Sequence, residues 1–332
     1  MSHEGECLRK ISYIHEKHDS ISSKTLFFLK VKNSVLLLFF SALMAIPGFA
    51  SDASKETVDV YKAVIKAVKA IEHPMTGRGS AISEIYRRNL KISSGKKILD
   101  FVFKGELSRS TRFSMKEGKR DKAEVVWAEG KKSAVVHNYR TNYASIQRKP
   151  VGQFQSERYD FNPRAFMEYH TGQSLEIYLQ RVLDGPATLS HKTDSEGILH
   201  LIADYKDPNT HQQSVVLVDP AKGYRLIGGL GINERFDRPE RNHTDFLDIK
   251  WHKYESSWYI KTATYVSYTG IHSLKDKSTL RRENLIRSIA IKVTDFRPNV
   301  KVSDSEFTLE GIGLSSGTLV IDQISGNKYR LQ

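Results

Sequence analysis

One cysteine, Cys7, is all the thiol chemistry this 332-residue chain has. From Ser51 onward there is none. That region can form no structural disulfide, thiolate nucleophile or zinc–thiolate site, and no cysteine at residue 51 is there to carry a lipid anchor. Long apolar runs are also missing. The longest, Val35–Ile46 (VLLLFFSALMAI), holds twelve apolar or small residues, against the ~20 needed for a helix to cross a bilayer. No H-E-x-x-H or H-x-H pair offers a metal site, and His243 and His252 lie nine apart, on opposite strand parity. No G-x-S-x-G elbow offers a nucleophilic serine. Gly228-Gly229-Leu230-Gly231 lies within a strand pattern and opens no helix, so it reads as a bulge or a close backbone approach and not as a phosphate cradle. The acid pairs Asp204/Asp207 and Asp245/Asp248 sit at strand edges and turns, where a solvated role is commonest. No cofactor motif is present. The sequence therefore predicts a non-enzymatic protein without metal or cofactor, with an uncharacterised hydrolase built on a carboxylate pair as the alternative.

What is present begins with Val35–Ile46 itself. It has the length of the hydrophobic region of a secretory signal, with Lys30 and Lys32 ahead of it and Gly48-x-Ala50 supplying small residues for cleavage before Ser51. The expectation is an exported protein of the periplasm or cell envelope. Residues 1–33 are polar and mixed in charge, and a product opening at Val31 would carry an ordinary signal. The expected division is an unstructured extension over 1–33, a signal over 34–50, and one β domain over 51–332 with extra C-terminal strands over 255–332. Residues 1–50 carry six Lys/Arg and four Asp/Glu, so without them the formal charge falls from +13 to +11. Such a balance suits anionic partners, membrane surfaces included. The basic residues are scattered along strands and not clustered with stacking aromatics, which argues against nucleic acid. Nothing in the composition demands assembly, and a monomer is expected.

Residues 54–72 predict an amphipathic helix, with Val58, Tyr61, Ile65, Val68 and Ile71 at spacings of three and four. Thr76–Gly79 reads as a loop and Ala81–Leu90 as a short second helix. From Lys97 to Arg148 the period becomes two, broken by Glu117-Gly118-Lys119, Glu129-Gly130-Lys131 and Arg140-Thr141-Asn142, which is an antiparallel meander. Asn162-Pro163 is a helix start, and helical patterning runs to Asp184 with a break at Thr171-Gly172. Strands follow at Ala187–Lys192, Ile198–Tyr205, Ser214–Val218, Tyr224–Asn233, Asp245–Tyr254, Trp258–Tyr268 and Asn284–Asp295. A short pair closes the chain near Thr318–Asp322 and Asn327–Leu331. Without apolar runs alternating with helices, a doubly wound fold is excluded. The fold class is mainly β (α+β): a curved antiparallel sheet, an unclosed half-barrel, with an N-terminal helix and an inserted helical pair on its concave face.

That order of elements resembles the fold of the carrier LolA and the receptor LolB. The residues that carry the resemblance are the hairpin Ala123–Lys132, the Tyr139–Gln147 strand with Tyr143, the helical insertion Asn162–Asp184, and Ser214–Gly223 with its Asp-x-x-x-Gly turn. It spans about Thr57–Tyr254. Beyond Glu255 the chain is longer than a minimal carrier and looks more like the longer relatives, among them envelope-stress regulators. The resemblance implies an apolar cavity between sheet and helices that shelters a lipid or the acyl chain of a lipoprotein. No ligand-gating residue of the family transfers to a position here. By pattern, the cavity-lining candidates are Phe101, Phe103, Phe113, Met115, Trp127 and Val135 from the sheet, faced by Phe166, Leu175 and Leu179. Aromatics in strands are more often plain core, but a half-barrel under loose helices does not easily fill its own interior. The alternative is a docking module for an envelope membrane protein.

Overall fold

The computed structural model describes residues 54–88, 95–130, 133–148, 159–160, 162–167, 174–255, 257–269 and 282–332. The expected extension and signal over 1–50 lie outside the described residues. Helix α1 (Lys55–Lys69) is followed by strands β1 (Thr76–Arg87), β2 (Gly95–Lys104), β3 (Leu107–Lys116), β4 (Lys119–Glu129), β5 (Ser133–Asn138) and β6 (Tyr143–Arg148). A 3-10 turn (Pro163–Met167) and helix α2 (Leu175–Asp184) form the insertion. Then come β7 (Thr188–Thr193), β8 (Leu199–Lys206), β9 (Thr210–Asp219), β10 (Arg225–Arg235), β11 (His243–Tyr254), β12 (Ser257–Thr269), β13 (Leu285–Pro298), β14 (Leu319–Asp322) and β15 (Lys328–Arg330).

All fifteen strands belong to one sheet, ordered β15-β14-β6-β5-β4-β3-β2-β1-β13-β12-β11-β10-β9-β8-β7. Its ends, β15 and β7, do not pair, so the sheet is unclosed. Two antiparallel meanders, β2–β6 and β7–β13, meet on β1, which pairs with β2 on one side and β13 on the other. Only β14 runs parallel to its neighbour, β6. The fold class read from the sequence is the observed one. Strands β12 and β13, from the part that exceeds a minimal carrier, lie in the middle of the sheet and form neither an edge nor a separate lobe.

Strand β1 corrects two expectations. Thr76–Gly79 is not a loop and Ala81–Arg87 is not helical; together they are a strand paired on both sides. Its buried side runs Gly77, Gly79, Ala81 and Ser83 before Ile85, four small residues that give no hydrophobic alternation to read. Their size has a cause. A Cβ on Gly77 would stand 2.6 Å from the Phe103 ring, and one on Gly79 would stand 2.3 Å from the Asp295 carbonyl oxygen and 2.8 Å from Phe101. The glycines are where aromatic rings and a neighbouring backbone lie against the sheet. Gly228 is similar: a Cβ there would meet the Leu247 carbonyl oxygen at 2.8 Å, beside a register shift between Leu226 and Gly228.

The helices are held by sequence-local signals. Ser54 caps α1, its Oγ accepting from the Thr57 amide at 3.1 Å, with Lys66 and Lys69 in the last turn. Tyr61 and Val64 are buried on its inner side, and the Tyr61 hydroxyl donates to the Ile202 carbonyl at 2.8 Å. Asn162 opens the 3-10 turn by accepting from the Arg164 amide at 3.0 Å, and Ser174 caps α2 by accepting from the Ile177 amide. The turn Asp219–Gly223 closes as its residues suggest: Asp219 accepts from the Ala221 amide, and Gly223 takes a left-handed φ of 68°.

Candidate functional site

The helix-covered face of the sheet is the site to examine, and the pairing register divides it in two. Across β1, β2 and β8–β13 it is apolar. Leu99, Phe101, Phe103, Leu201, Val216, Leu247, Ile289 and Ile291 form one cluster with Tyr61 and Val64 of α1, Phe166 of the 3-10 turn, and Leu175 and Leu179 of α2. At its centre four rings lie nearly flat on one another. Tyr259 and Phe296 stack at 3.9 Å, and each lies within 5.8–6.2 Å of both Phe101 and Phe103. Five sequence candidates therefore meet in one place: Phe101, Phe103, Phe166, Leu175 and Leu179. In this structure they are packed against one another, with Phe166 and Leu179 at 0% and 1% exposure.

Across β3–β5 the same face turns polar. Phe103 stands in register with Ser108 and Glu129, Phe101 with Ser110 and Trp127, and Leu99 with Arg112 and Val125. Trp127 is buried in a small cluster with Val125 and Val136, apart from the other candidates. Its indole donates to the buried Glu129 carboxylate at 2.9 Å. Asn162, at the root of the 3-10 turn, donates to Ser108 at 3.0 Å and to Glu129 at 3.4 Å. A second buried network lies near the far end of β1: Asp160 receives Arg87 and, at 2.8 Å, Arg287. Glu124 receives Lys97 at 2.8 Å, Arg140 at 3.1 Å and Arg112 at 3.4 Å. Burial pulls the Arg112 pKa below its ordinary value despite the nearby Glu124 and Asp160 charges.

The remaining candidates lie elsewhere. Phe113 faces away from the helices, under the Arg120 guanidinium at 4.4 Å, and lines an outer groove of about 330 Å³ with Arg78, Asp100, Arg109, Asp295 and Arg297. Met115, two residues on, is half-buried. Val135 is on the opposite face from Trp127, because Trp127 pairs with Val136 and Ala128 with Val135. It packs with Val126, Ala128 and Ile312 beneath the C-terminal segment. The β2–β3 register sets Phe113 opposite Ile98, on the face away from Phe101 and Phe103.

At one end of the apolar half is a group the sequence did not single out. The Arg164 guanidinium, on the 3-10 turn, lies 4.5 Å over Phe103. Arg225, at the start of β10, lies 5.8 Å from the Trp251 ring and 5.3 Å from that of Trp258. Lys261 is 5.8 Å from the Tyr254 ring, and His73 stacks on Trp251 at 6.4 Å. Part of His73 stays exposed, but crowding of its ring, aided by the Arg164 and Arg225 charges, pushes its pKa down to about 4. Burial raises the hydroxyl pKa of Tyr259 and of Tyr254. Trp251, Tyr254, Trp258, Tyr259 and Lys261 come from the β11–β12 hairpin, while His73, Arg164 and Arg225 are far from it in sequence and reach it only through the fold.

Among the described residues, no group of three or more His, Cys, Asp or Glu side chains is arranged to hold a metal ion. The acid pairs have local duties. Asp204 meets His211 at 2.6 Å, Asp207 accepts from the Asn209 and Thr210 amides, and Asp245 accepts from the Tyr265 hydroxyl at 3.0 Å. No described helix is long and apolar enough to cross a membrane.

By sequence, no family description and no curated protein matches the chain. Solved structures do resemble it in outline. A LolA superfamily protein from Nitrosomonas europaea aligns over 75% of this chain and 98% of its own, at 8% identity and a TM-score of 0.44. A domain named as an outer membrane lipoprotein-sorting protein, from Vibrio parahaemolyticus, aligns over 77% and 96%, at 12% identity and a TM-score of 0.42. A DUF1329 family protein from Desulfovibrio piger aligns over 80% and 100%, at 12% identity and a TM-score of 0.45. At these scores the likeness is one of strand layout and extends to no site.

Proposed function

We propose that this chain is an exported binding protein of the cell envelope that shelters an apolar chain, from a lipid or an acylated protein, between the sheet and its helical cover. One observation carries the reading. A wide apolar sheet face with an aromatic floor is covered by two short helices and a 3-10 turn, where a sandwich would have a second sheet. The 3-10 turn and α2 belong to no strand ladder, so moving them aside from the apolar face breaks no strand pairing. An acyl chain laid there gains roughly 0.8 kcal/mol per buried methylene, so ten methylenes offset a lid-opening cost of several kcal/mol.

The test is titration of the folded protein with a fluorescent fatty acid, followed by competition with unlabelled lipid. Saturable binding that Phe103→Asp removes, with far-UV circular dichroism unchanged, supports the reading. A folded protein that takes up no fatty acid contradicts it and leaves the docking of a protein partner as the better account.

A further inference from the structure

The basic group at the end of the apolar face has an unusual balance. Arg164 donates to the Gly105 carbonyl and Arg225 to the Lys222 carbonyl. Among the described residues, neither guanidinium, nor Lys261, has a carboxylate within ion-pairing distance. Asp219 is held by Lys222 and the Ala221 amide, and Asp295 acts on Tyr254 through space. Several other arginines of the sheet do pair with carboxylates, as Arg78 does with Glu306, Arg120 with Asp100 and Arg287 with Asp160. Unsatisfied donors point the same way: Arg225 Nε and the hydroxyls of Tyr254 and Tyr259 are buried without a hydrogen-bond partner. A half-buried arginine with no anion is costly, since burial disfavours the charged form and pulls the Arg225 pKa down. Positive charge, unused donors and flat aromatic surface thus converge where the apolar floor ends.

The geometry points to a binding site for a phosphate head group, formed by Arg164 and Arg225 with His73, Trp251 and the Tyr259 hydroxyl around them. This rests on the reading above that an apolar chain lies along Phe103, Tyr259 and Phe296; the tail would run inward from the phosphate. Phosphate is the fitting anion because guanidinium donors match it in pairs, and two arginines on separate elements can grip different oxygens. Arg164 is on the covering 3-10 turn and Arg225 is on the sheet. A phosphate held by both would therefore fasten the cover over its own tail, making head group recognition and closure one event.

The experiment measures the binding of dioctanoyl phosphatidic acid, dioctanoylglycerol and inorganic phosphate to the folded chain by calorimetry. The two lipids share their tails and differ in the phosphate. The expected result is tighter binding of phosphatidic acid by about tenfold or more, as one or two charge-assisted hydrogen bonds give. Arg164→Gln and Arg225→Gln should each shrink that preference toward one. Arg225→Lys should retain part of it. Thermal melts of each variant separate loss of the site from loss of the fold, and for a variant that melts early, salt dependence of wild-type binding reports the same charges. Equal binding of both lipids overturns the head group site and leaves the apolar reading intact. Binding of neither lipid overturns both. Inorganic phosphate bound as tightly as phosphatidic acid overturns the lipid assignment in favour of a free-anion site.

Discussion

Replacing Gly79 with alanine should destabilise this protein, against what backbone entropy alone predicts. Gly79 lies in an extended strand, with no positive φ to protect. Alanine there would ordinarily stabilise by ~0.4–1 kcal/mol, through a less disordered unfolded chain. The structure reverses the sign. The new Cβ would stand 2.3 Å from the Asp295 carbonyl oxygen, 2.8 Å from the Phe101 ring and 3.2 Å from the Phe296 Cα. Two of these three are backbone atoms of β13, the strand paired with β1, and cannot move without disturbing the ladder. Overpacking of this kind costs about 1–3 kcal/mol. Gly77→Ala meets only ring carbons of Phe103 and Phe296, at 2.6–2.7 Å, and should cost less, because rings can slide. Urea unfolding followed by tryptophan fluorescence measures both, and the melting temperature of Gly79→Ala should fall by roughly 2–10 °C. The double variant Gly79→Ala/Phe101→Ala should lose less than the sum of its parts, since the smaller side chain removes one of the clashes. A Gly79→Ala protein as stable as the parent would refute the close approach of β13 and, with it, the flat aromatic floor.

Three more outcomes follow from the site. Trp127→Phe removes the donor to a buried carboxylate, and should cost about 1–3 kcal/mol in urea unfolding, more than its loss of apolar area. Asp160→Asn removes the buried carboxylate that Arg87 and Arg287 share; a loss of about 3–5 kcal/mol is expected, and Asp160→Asn melting with the parent would contradict the buried network. His73 has a folded pKa of about 4 against an ordinary 6.5, so the unfolded chain takes up its proton first. Its contribution to stability is present above pH 6.5 and is lost as pH falls toward 4. Urea midpoints should drop across that window, and less steeply in His73→Gln.

The sequence carried the architecture better than the site, for reasons visible in particular residues. Alternation at Phe101/Phe103 and Val125/Trp127, the Asp219–Gly223 turn and the Asn162-Pro163 start are local signals, and each produced its element. Strand β1 escaped because its buried residues are two glycines, an alanine and a serine, whose reason for being small is a ring or backbone contributed by another strand. Trp127 read as apolar wall because its spacing matched the other aromatics. Its partner Glu129 and the Asn162 that completes the set become neighbours only through pairing and the inserted turn. Phe113 and Val135 read as inner-face residues because the register that sets one strand against the next is not legible in either strand alone. The basic group was illegible for the same reason: Arg164, Arg225 and His73 share no motif, and Trp251 and Trp258 gave the only hint, two large aromatics flanking one hairpin.

The measurement that tests the central claim most directly is native mass spectrometry of the protein, purified from its native cells without detergent. The account predicts a bound mass of acyl-lipid size, released into organic solvent and absent from the Phe103→Asp protein. Folded protein that flies at its bare mass, with no lipid in the extract, would contradict it.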